Sequence, residues 1–330
     1  MTDSGDRIAV VGCGVTGRRL VRRLAAEARP LALYDTDRAA ARVLAEQVGA
    51  IALDDVADLV GSSIVVCAQP GPHAPLATLL LTAATSVVST GDALPDVQDL
   101  LDLEGAAAAN GASLVVGAGM APGLSGLVAA SVGSGLAAVD EIHVAAHGTG
   151  GPACAAQHHR ALGDTALGWH DGEWIERPGG SGRELCWFPD PVGPRDCYRA
   201  AVADPVLLQR AFPTVQRVSA RVSATRRDRL TARMPMLTPP HADGDRGGLR
   251  VEVRGFGASG ARESLVAGAA GDVADLAAAV AAAVAIACVD QQPEPGVHLL
   301  GDGTLDDAAI LAEVCRLGVR LQEFTGAVSG

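Results

Sequence analysis

The sequence I-A-V-V-G-C-G-V-T-G occupies residues 8–17, close to the start of the chain. Four apolar residues followed by glycines in G-x-G-x-x-G spacing predict a strand, a tight turn and a helix. The apolar residues that follow recur at helical spacing: Leu20, Val21 and Leu24. Gly12 would permit the turn, Gly14 would let the backbone approach a pyrophosphate, and Gly17 would let the helix pack on the strand. The stretch therefore predicts a dinucleotide-binding turn at a helix N-terminus, whose N–H groups attract phosphate.

A second predicted strand, residues 31–34, ends at an acidic residue. Asp35 lies 18 residues beyond Gly17, where a carboxylate accepts hydrogen bonds from the adenosine ribose hydroxyls of a bound dinucleotide. The same carboxylate would repel a 2′-phosphate, so NAD is favoured over NADP as the cofactor. Arg38 could neutralise such a phosphate, and NADP therefore stays open. The residues expected to hold this end of the dinucleotide are Gly12, Cys13, Gly14, Val15, Thr16, Gly17, Asp35 and Arg38.

Strands and helices then alternate as far as residue 116. The pattern predicts helices at 38–48, 74–84 and 95–110 and strands at 50–52, 64–67, 87–90 and 113–116. Such alternation is typical of a Rossmann doubly wound parallel sheet, which binds its ligand at the carboxyl ends of the strands. The residues expected to face the nicotinamide there are Cys67, Ala68, Gln69, Pro70, Gly91, Gly119, Pro122 and Gly123. Asp92 is the candidate side chain at this edge, with capping of the next helix as its alternative role.

The pattern of apolar and polar residues changes after residue 117. Alternating segments at 140–146, 215–223 and 249–253 predict strands, and Asp171-Gly172 predicts a hairpin turn. A helix is expected to begin near Asp272 and to end before Pro293. The chain is therefore predicted to be α/β, with a Rossmann domain at 1–123 and a second α+β, mainly antiparallel, substrate and dimerisation domain at 124–297. Residues 298–330 are the candidate for a return to the first domain.

The basic residues of the chain are unusual. All 26 are arginine, and the chain contains no lysine. This excludes a Schiff-base lysine, a lysine general acid and a tyrosine–lysine couple for hydride transfer. An enzyme built from this chain must use other groups for those roles.

Charge and cysteine usage limit the partners and the location. A formal net charge of −12 disfavours nucleic acid and anionic membrane as partners. Residues 276–289 are apolar but fall short of the ~20 residues of a membrane span, so a buried or interface helix is expected there. Seven cysteines without a C-x-x-C pair, and no export signal in residues 1–7, favour the reducing cytoplasm.

Three further motifs carry a family resemblance. They are G-A-G-M-A-P-G-L at 117–124, W-F-P-D-P-V-G-P at 187–194 and P-G-V at 295–297. With the glycine turn, they resemble the saccharopine dehydrogenase-like family over nearly the whole chain. The resemblance implies a nicotinamide cofactor between the two domains, oxidation or reduction of C–N bonds in amino-acid-derived substrates, and a homodimer. The chain departs from saccharopine-forming members at G-T-G-G-P-A-C-A-A-Q-H-H-R, residues 148–160, which leaves the substrate open.

Titratable and cationic residues of the second domain complete the candidate site. Imidazole can transfer a proton near neutral pH, and arginine can hold a carboxylate with two hydrogen bonds. The catalytic candidates are His158, His159, His147, Asp92 and Tyr198. The substrate-binding candidates are Arg160, Arg195, Arg199, Met120 and Gln157. No metal is expected, because His143 and His147, four residues apart on one strand face, are about 13 Å apart.

Three functions are compatible with these features. The first is an NAD(P)-dependent oxidoreductase that transfers hydride between nicotinamide and a C–N carbon of a small amino-acid or imine substrate. The second is a transferase that retains NAD as a prosthetic group, similar to homospermidine synthase. The third is a non-catalytic module that binds or senses NAD(H).

Overall fold

The computed structural model describes residues 7–237 and 239–324. Residues 1–6, 238 and 325–330, which include the outer ends of both predicted segments of the Rossmann domain, lie outside the described residues. The described strands are β1 Ile8–Val11, β2 Leu31–Tyr34, β3 Ile51–Ala52, β4 Ile64–Cys67, β5 Ser86–Ser89, β6 Ser113–Val116, β7 Ala138–His147, β8 Thr165–His170, β9 Glu173–Pro178, β10 Glu184–Phe188, β11 Gly193–Arg199, β12 Arg217–Ser223, β13 Arg246–Phe256, β14 Arg262–Asp272, β15 Gly296–Leu299 and β16 Leu321–Glu323. The described α-helices are α1 Val15–Ala26, α2 Arg38–Val48, α3 Ala74–Thr82, α4 Leu94–Leu101, α5 Glu104–Ala109, α6 Leu124–Gly133, α7 Pro152–Ala161, α8 Asp204–Ala211, α9 Arg226–Thr231, α10 Val273–Gln291 and α11 Asp307–Arg316.

The first sheet has seven parallel strands in the order β15-β6-β5-β4-β1-β2-β3. Its central strands β1 and β4 are buried along their whole length, because helices cover both faces of a doubly wound sheet. The predicted Rossmann fold is confirmed. For the strands and helices up to β6, most predicted ends lie within two residues of the observed ones.

The helix predicted at 95–110 is wrong, because the structure has two helices there. Helix α4 ends at Leu101 and α5 begins at Glu104. The Glu104 carboxylate accepts a hydrogen bond of 2.8 Å from Val297 N, which holds α5 against β15. Because this contact joins residues far apart in sequence, the alanine-rich periodicity of residues 95–110 does not predict the break between α4 and α5.

The second sheet has the order β10-β11-β12-β7-β13-β14-β16, with the β8–β9 hairpin attached to β12. Only the β7–β12 pair is parallel among the described strands of this sheet, so the predicted mainly antiparallel arrangement is confirmed. The hairpin turns at Asp171 and Gly172, both with positive φ, as the sequence predicts.

The C-terminal segment is divided between the two sheets. Strand β15 extends the parallel sheet beside β6, whereas β16 pairs with β14 of the second sheet. The sequence predicts a return to the first domain at 298–330, but the return begins at Gly296 and does not include β16. Each of these strands is placed by its hydrogen bonds to a strand that is distant in sequence, β6 for β15 and β14 for β16. Local sequence patterns do not predict such pairings.

Helix α10 is the one described helix that is long and apolar enough to cross a membrane by length and composition. It packs against α1, α11 and strands of both sheets. Its alanines between positions 278 and 285 are completely buried within the protein or nearly so. The helix is therefore part of the core between the two sheets, as predicted for residues 276–289.

Candidate functional site

The glycine turn after β1 has the close backbone approaches that a dinucleotide-binding turn needs. A Cβ on Gly12, whose φ is +97°, would lie 2.6 Å from Gln69 N. A Cβ on Gly17 would lie 1.8 Å from Gly12 O, so α1 can approach β1 only with glycine at this position. A Cβ on Gly14, by contrast, would have no described atom within 4 Å, which leaves room for a pyrophosphate. No described side chain caps α1, so its first N–H groups remain available to phosphate.

Asp35 lies beside this turn at the end of β2. Its Oδ2 accepts a hydrogen bond of 2.6 Å from Cys13 N, and its Oδ1 accepts one of 2.8 Å from Asp37 N. These bonds hold the carboxylate where the sequence predicts the ribose contact. Arg38 is exposed in the first turn of α2.

The ends of β4 and β5 form the predicted nicotinamide edge. After Cys67, which is buried, the chain passes through Ala68, Gln69 and Pro70. The side-chain Oε1 of Gln69 is buried without a hydrogen-bond partner in the described part of the chain. A bound carboxamide could satisfy this atom, so the residues present fit a nicotinamide dinucleotide.

A buried network that the sequence reasoning missed supports the same edge. His73 is 1% exposed; its Nδ1 lies 2.8 Å from Ser89 Oγ, and its Nε2 lies 2.9 Å from Gln69 O. The Asp96 carboxylate accepts hydrogen bonds from His73 N and Ala74 N at the start of α3. The network ties together the loops that follow β4 and β5. The H-A-P start of a helix after a predicted strand was a signal that a buried histidine could be placed there.

The loop between β6 and α6 is closely folded on itself. Gly119 N donates to Pro122 O, and the Ala121–Pro122 peptide is cis. A Cβ on Gly123, whose φ is +129°, would lie 2.3 Å from Gly119 O, so the loop requires glycine there. Met120 is buried in the hydrophobic core rather than free at the loop surface.

Helix α7 connects the two ends of the predicted cofactor groove. At its N-terminus, a Cβ on Gly151 would lie 3.1 Å from the Val15 side chain of the glycine turn. In its last two turns, Gln157 and His158 reach Asp92 at the nicotinamide edge. The helix thus runs beside the groove from the phosphate-binding turn to the strand ends.

Asp92 is the centre of a polar cluster that also contains Gln157, His158 and Cys154. Gln157 Nε2 donates to Asp92 Oδ1 at 2.5 Å, and His158 Nε2 lies 3.1 Å from Asp92 Oδ2. Cys154 Sγ lies 3.8 Å from the same His158 nitrogen. The cap of α4 is Ala93, without a side-chain hydrogen bond, so Asp92 does not cap that helix. Its carboxylate instead joins the first domain to α7.

Cys154 was missed by the sequence reasoning. It precedes His158 by four residues, and α7 therefore presents both side chains on one face. The i,i+4 spacing of this cysteine and histidine was the signal that could have found it. The donor atoms of Asp92, Cys154 and His158 all lie within 4.8 Å of one another. The expectation that the chain holds no metal considered only His143 and His147.

The pKa values of two groups at this cluster, His158 and Asp204, are shifted from their usual values. Burial alone would lower the pKa of His158, but Cys154 and the Asp92 hydrogen bond together raise that pKa well above its usual value. Burial raises the pKa of Asp204, at the start of α8, to about 6; Ser125 lowers it and the nearby Asp92 charge raises it further. Asp204 Oδ1 is buried and lacks a partner among the described residues. It lines a small cavity with Ser125 and the Gly117 to Pro122 loop.

Of the two candidates that follow His158, His159 points away from Asp92 and Arg160 is exposed to solvent. His159 is buried, and its Nε2 lies 2.9 Å from Thr231 O and 3.2 Å from Met234 O, beside α9. Arg160 is exposed in the last turn of α7. Successive helix positions are about 100° apart, which is why His159 faces away from the side that Gln157 and His158 present to Asp92.

Four other candidates lie around β7 and β11 of the second sheet. His147 Nδ1 lies 2.6 Å from Ser223 Oγ, and its ring packs on Phe188. Burial and the Arg195 charge lower the pKa of His147. Tyr198 is buried beneath the Arg229 guanidinium, 4.1 Å from the ring centre. The remaining candidates of this group are Arg195, which is exposed, and Arg199, which packs against Gly182.

Comparisons with known proteins agree with this architecture. Residues 7–118 match a family model described as "Oxidoreductase family, NAD-binding Rossmann fold". The first domain therefore binds a nicotinamide dinucleotide, NAD(P), as the glycine turn predicts. A comparison with curated protein sequences finds no match.

Solved structures extend the likeness to the whole chain. Apo saccharopine dehydrogenase (L-Glu forming) from Saccharomyces cerevisiae superposes with a TM-score of 0.71 and 17% identity, over 97% of this chain and 100% of that chain. A meso-dapdh mutant with DAP from Clostridium tetani superposes with a TM-score of 0.51 and 12% identity, over 92% of this chain and 95% of that chain. At these identities the likeness shows the fold. It confirms that the chain has the saccharopine dehydrogenase-like architecture implied by its motifs.

Proposed function

We propose that this NAD(P)-binding oxidoreductase transfers hydride between nicotinamide and a carbon that bears nitrogen, in a small amino-acid or imine substrate. One observation carries the proposal. Asp92 of the cofactor domain and the Gln157–His158 pair of α7 meet at the carboxyl end of β5, beside the loop that follows β4. In a doubly wound sheet this edge is where the ligand binds.

The cofactor supplies the hydride chemistry when it is bound, and the chain's own residues define the rest of the site. Gly12, Gly14 and Gly17 shape the phosphate turn, and Asp35 receives the adenosine ribose. The Asp35 carboxylate supports NAD over NADP. Gln69 offers an unsatisfied buried amide oxygen to the carboxamide.

The charge of the cluster supports a C–N substrate. Hydride adds readily to a C=N carbon only when the nitrogen carries positive charge or is bound to a cation. Asp92 places a carboxylate, 23% exposed, directly at this edge, and the buried Asp204 lies close enough to affect it electrostatically. Negative groups in a partly desolvated site stabilise a cationic nitrogen more strongly than they would in water.

The substrate carboxylate needs a cation, and the chain can supply only arginine. Arg160 is exposed three residues beyond Gln157, on the neighbouring surface of α7. We assign it to the substrate carboxylate because guanidinium binds that group with two parallel hydrogen bonds. His147, His159, Tyr198, Arg195 and Arg199 are less favoured, since their described contacts are with other parts of the second domain.

The experiment is a hydride-transfer assay on the full chain. Amino acids are offered with NAD or NADP, and 2-oxo acids with amines are offered with the reduced cofactors, while nicotinamide absorbance is followed. Asp92→Asn and Gln157→Ala should each lower kcat/KM by about 100-fold or more, since removal of one preorganised polar group costs this much. His170→Gln, which changes a partly exposed histidine on β8, is the matched control and should keep full activity.

Two results would contradict the proposal. No absorbance change with any amine, imine or hydroxy acid, despite tight cofactor binding, would support a binding module. Product formation without net change in the reduced cofactor would support the transferase.

The seven free cysteines agree with the predicted reducing cytoplasm, which fractionation of the native cells would test.

A further inference from the structure

The His158 imidazole has one nitrogen directed at two polar neighbours. Its Nε2 lies 3.1 Å from Asp92 Oδ2 and 3.8 Å from Cys154 Sγ. A ring nitrogen carries at most one proton, so it can donate one good hydrogen bond and not two. A Cys–His–Asp relay would use opposite ring nitrogens for the thiol and the carboxylate. When the Nε2 proton is donated to Asp92, the 3.8 Å contact with Cys154 is a weak one, yet all three donor atoms lie within 4.8 Å of one another.

We propose that Asp92, Cys154 and His158 form a binding site for one zinc ion. The three donors are a carboxylate oxygen, a thiolate sulfur and an imidazole nitrogen, the set that Zn²⁺ takes in proteins. Zinc bonds of about 2.0–2.3 Å in tetrahedral geometry place the ligand atoms ~3.3–3.6 Å apart. The observed separations of 3.1 Å and 3.8 Å from His158 Nε2 bracket that range.

The surroundings of the three ligands suit a metal. Gln157 Nε2 donates to Asp92 Oδ1 at 2.5 Å, which orients the carboxylate and leaves its Oδ2 directed at the site. The i,i+4 spacing of Cys154 and His158 lets one helix provide two ligands, while Asp92 comes from the other domain. The thiolate donor favours zinc over magnesium or calcium, which take oxygen ligands.

The electrostatics of the cluster point in the same direction. The His158 side chain is only 15% exposed, and the Asp92 carboxylate, 23% exposed, lies 3.1 Å from its Nε2. Asp204 adds a second carboxyl nearby. Carboxylates in a partly desolvated site stabilise a cation more strongly than they would in water, so they favour a cation at the point where the three donor atoms meet.

The role of the metal rests on the proposed function. Three protein ligands leave a fourth position open, as in catalytic zinc sites. A neutral imine nitrogen or a carbonyl oxygen of the substrate can coordinate there by its lone pair. With the reduced cofactor bound, hydride would add to the carbon, the π pair would go to that nitrogen or oxygen, and a proton from water would complete the product. The metal thus supplies the positive charge that a lysine could provide in another chain.

The test measures metal binding by the full-length protein, without reference to activity. The protein is stripped with a chelator and titrated with Co²⁺, whose tetrahedral thiolate complexes absorb strongly in the visible and near ultraviolet, and zinc is quantified after dialysis against Zn²⁺. We expect one ion per chain and a thiolate-to-cobalt band. Cys154→Ser should abolish the band, and Asp92→Asn and His158→Gln should abolish stoichiometric binding. Gln157→Ala should weaken binding by about 10- to 100-fold, as loss of an orienting partner does.

The controls separate this site from adventitious binding. Cys315→Ser removes an exposed thiol and His170→Gln removes a partly exposed imidazole, and both variants should retain one ion and the band. Circular dichroism melts and cofactor binding show that each variant is folded. The proposal is overturned if the wild-type protein binds no Co²⁺ or Zn²⁺ stoichiometrically, or if the three ligand variants bind like the controls. One bound ion without hydride transfer would support the metal site but refute the proposed reaction. Full hydride transfer by metal-free protein would refute the catalytic role of the metal.

Discussion

Asp92 and His158 are 66 residues apart in sequence, and their side chains meet at 3.1 Å. Asp92 follows β5 of the parallel sheet, and His158 is in α7 of the second domain. The pair therefore forms only when the two domains are assembled. Any reaction that needs both groups depends on the domain arrangement as well as on the residues themselves.

Gly14 and Gly17 should respond differently to alanine. Gly17→Ala places a Cβ 1.8 Å from Gly12 O, so we expect a loss of several kcal/mol in the free energy of unfolding and a weakly folded protein. Gly14→Ala meets no described atom within 4 Å, so the fold should be kept while the pyrophosphate loses space. Thermal melts and cofactor titrations of both variants check this. Equal melting temperatures for the two variants would contradict it.

Asp35→Ser should change cofactor preference. The carboxylate lies at the end of β2, held by Cys13 N, where it favours the ribose hydroxyls and repels a 2′-phosphate. We expect NAD affinity to fall about tenfold, as for the loss of one charged hydrogen bond, and the ratio of NAD to NADP affinity to fall further. Asp37→Ser, which retains the ability to cap α2, is the control. A wild-type protein that binds NADP more tightly than NAD would refute the assignment.

Asp204→Asn should stabilise the protein at high pH. The pKa of Asp204 is about 6 in the folded chain and 3.8 in the reference state, so folding favours the protonated acid. Stability is then highest below pH ~4 and falls as pH rises through ~6, by about 3 kcal/mol in all. The variant lacks this loss, so its advantage in melting temperature should be larger at pH 8 than at pH 4.5. Asp99→Asn, at an exposed position, controls for the general effect of removing a carboxylate.

The predicted homodimer can be tested at β10. This strand is at the edge of the second sheet, and its Leu185 and Trp187 are 57% and 59% exposed. An open edge with exposed apolar side chains is suited to pairing with another chain. Sedimentation should therefore show a dimer for the wild type and a monomer for Trp187→Asp with an unchanged fold. A dimer that persists in this variant would place the interface elsewhere.

The local features of this chain are those that its sequence predicts well. A strand, three spaced glycines and an amphipathic helix identify the cofactor turn, since each depends on neighbouring residues. The Asp272 cap, the Asp171 turn and the buried α10 are equally local, and the sequence predicts all three. The glycine spacing and the strand-ending acid also point to NAD(P).

Tertiary structure decided the composition of the polar cluster. The Q-H-H-R run names four candidates, but helix geometry directs Gln157 and His158 to Asp92 and turns His159 to α9. Cys154 joins the cluster because it lies one helical turn earlier, and this matters only once a partner from another domain is in place. The division of β15 and β16 between the sheets likewise depends on distant strand edges.

The absence of lysine and the position of the dinucleotide-binding turn were determined by the sequence alone, because composition and short-range spacing do not depend on the fold. Which polar groups meet at the strand ends was decided by the fold, because Asp92 reaches His158 and Cys154 of α7 only through contacts between the domains. Hydrogen-bonding and metal-binding chemistry acts over a few ångströms, whereas sequence periodicity describes one element at a time.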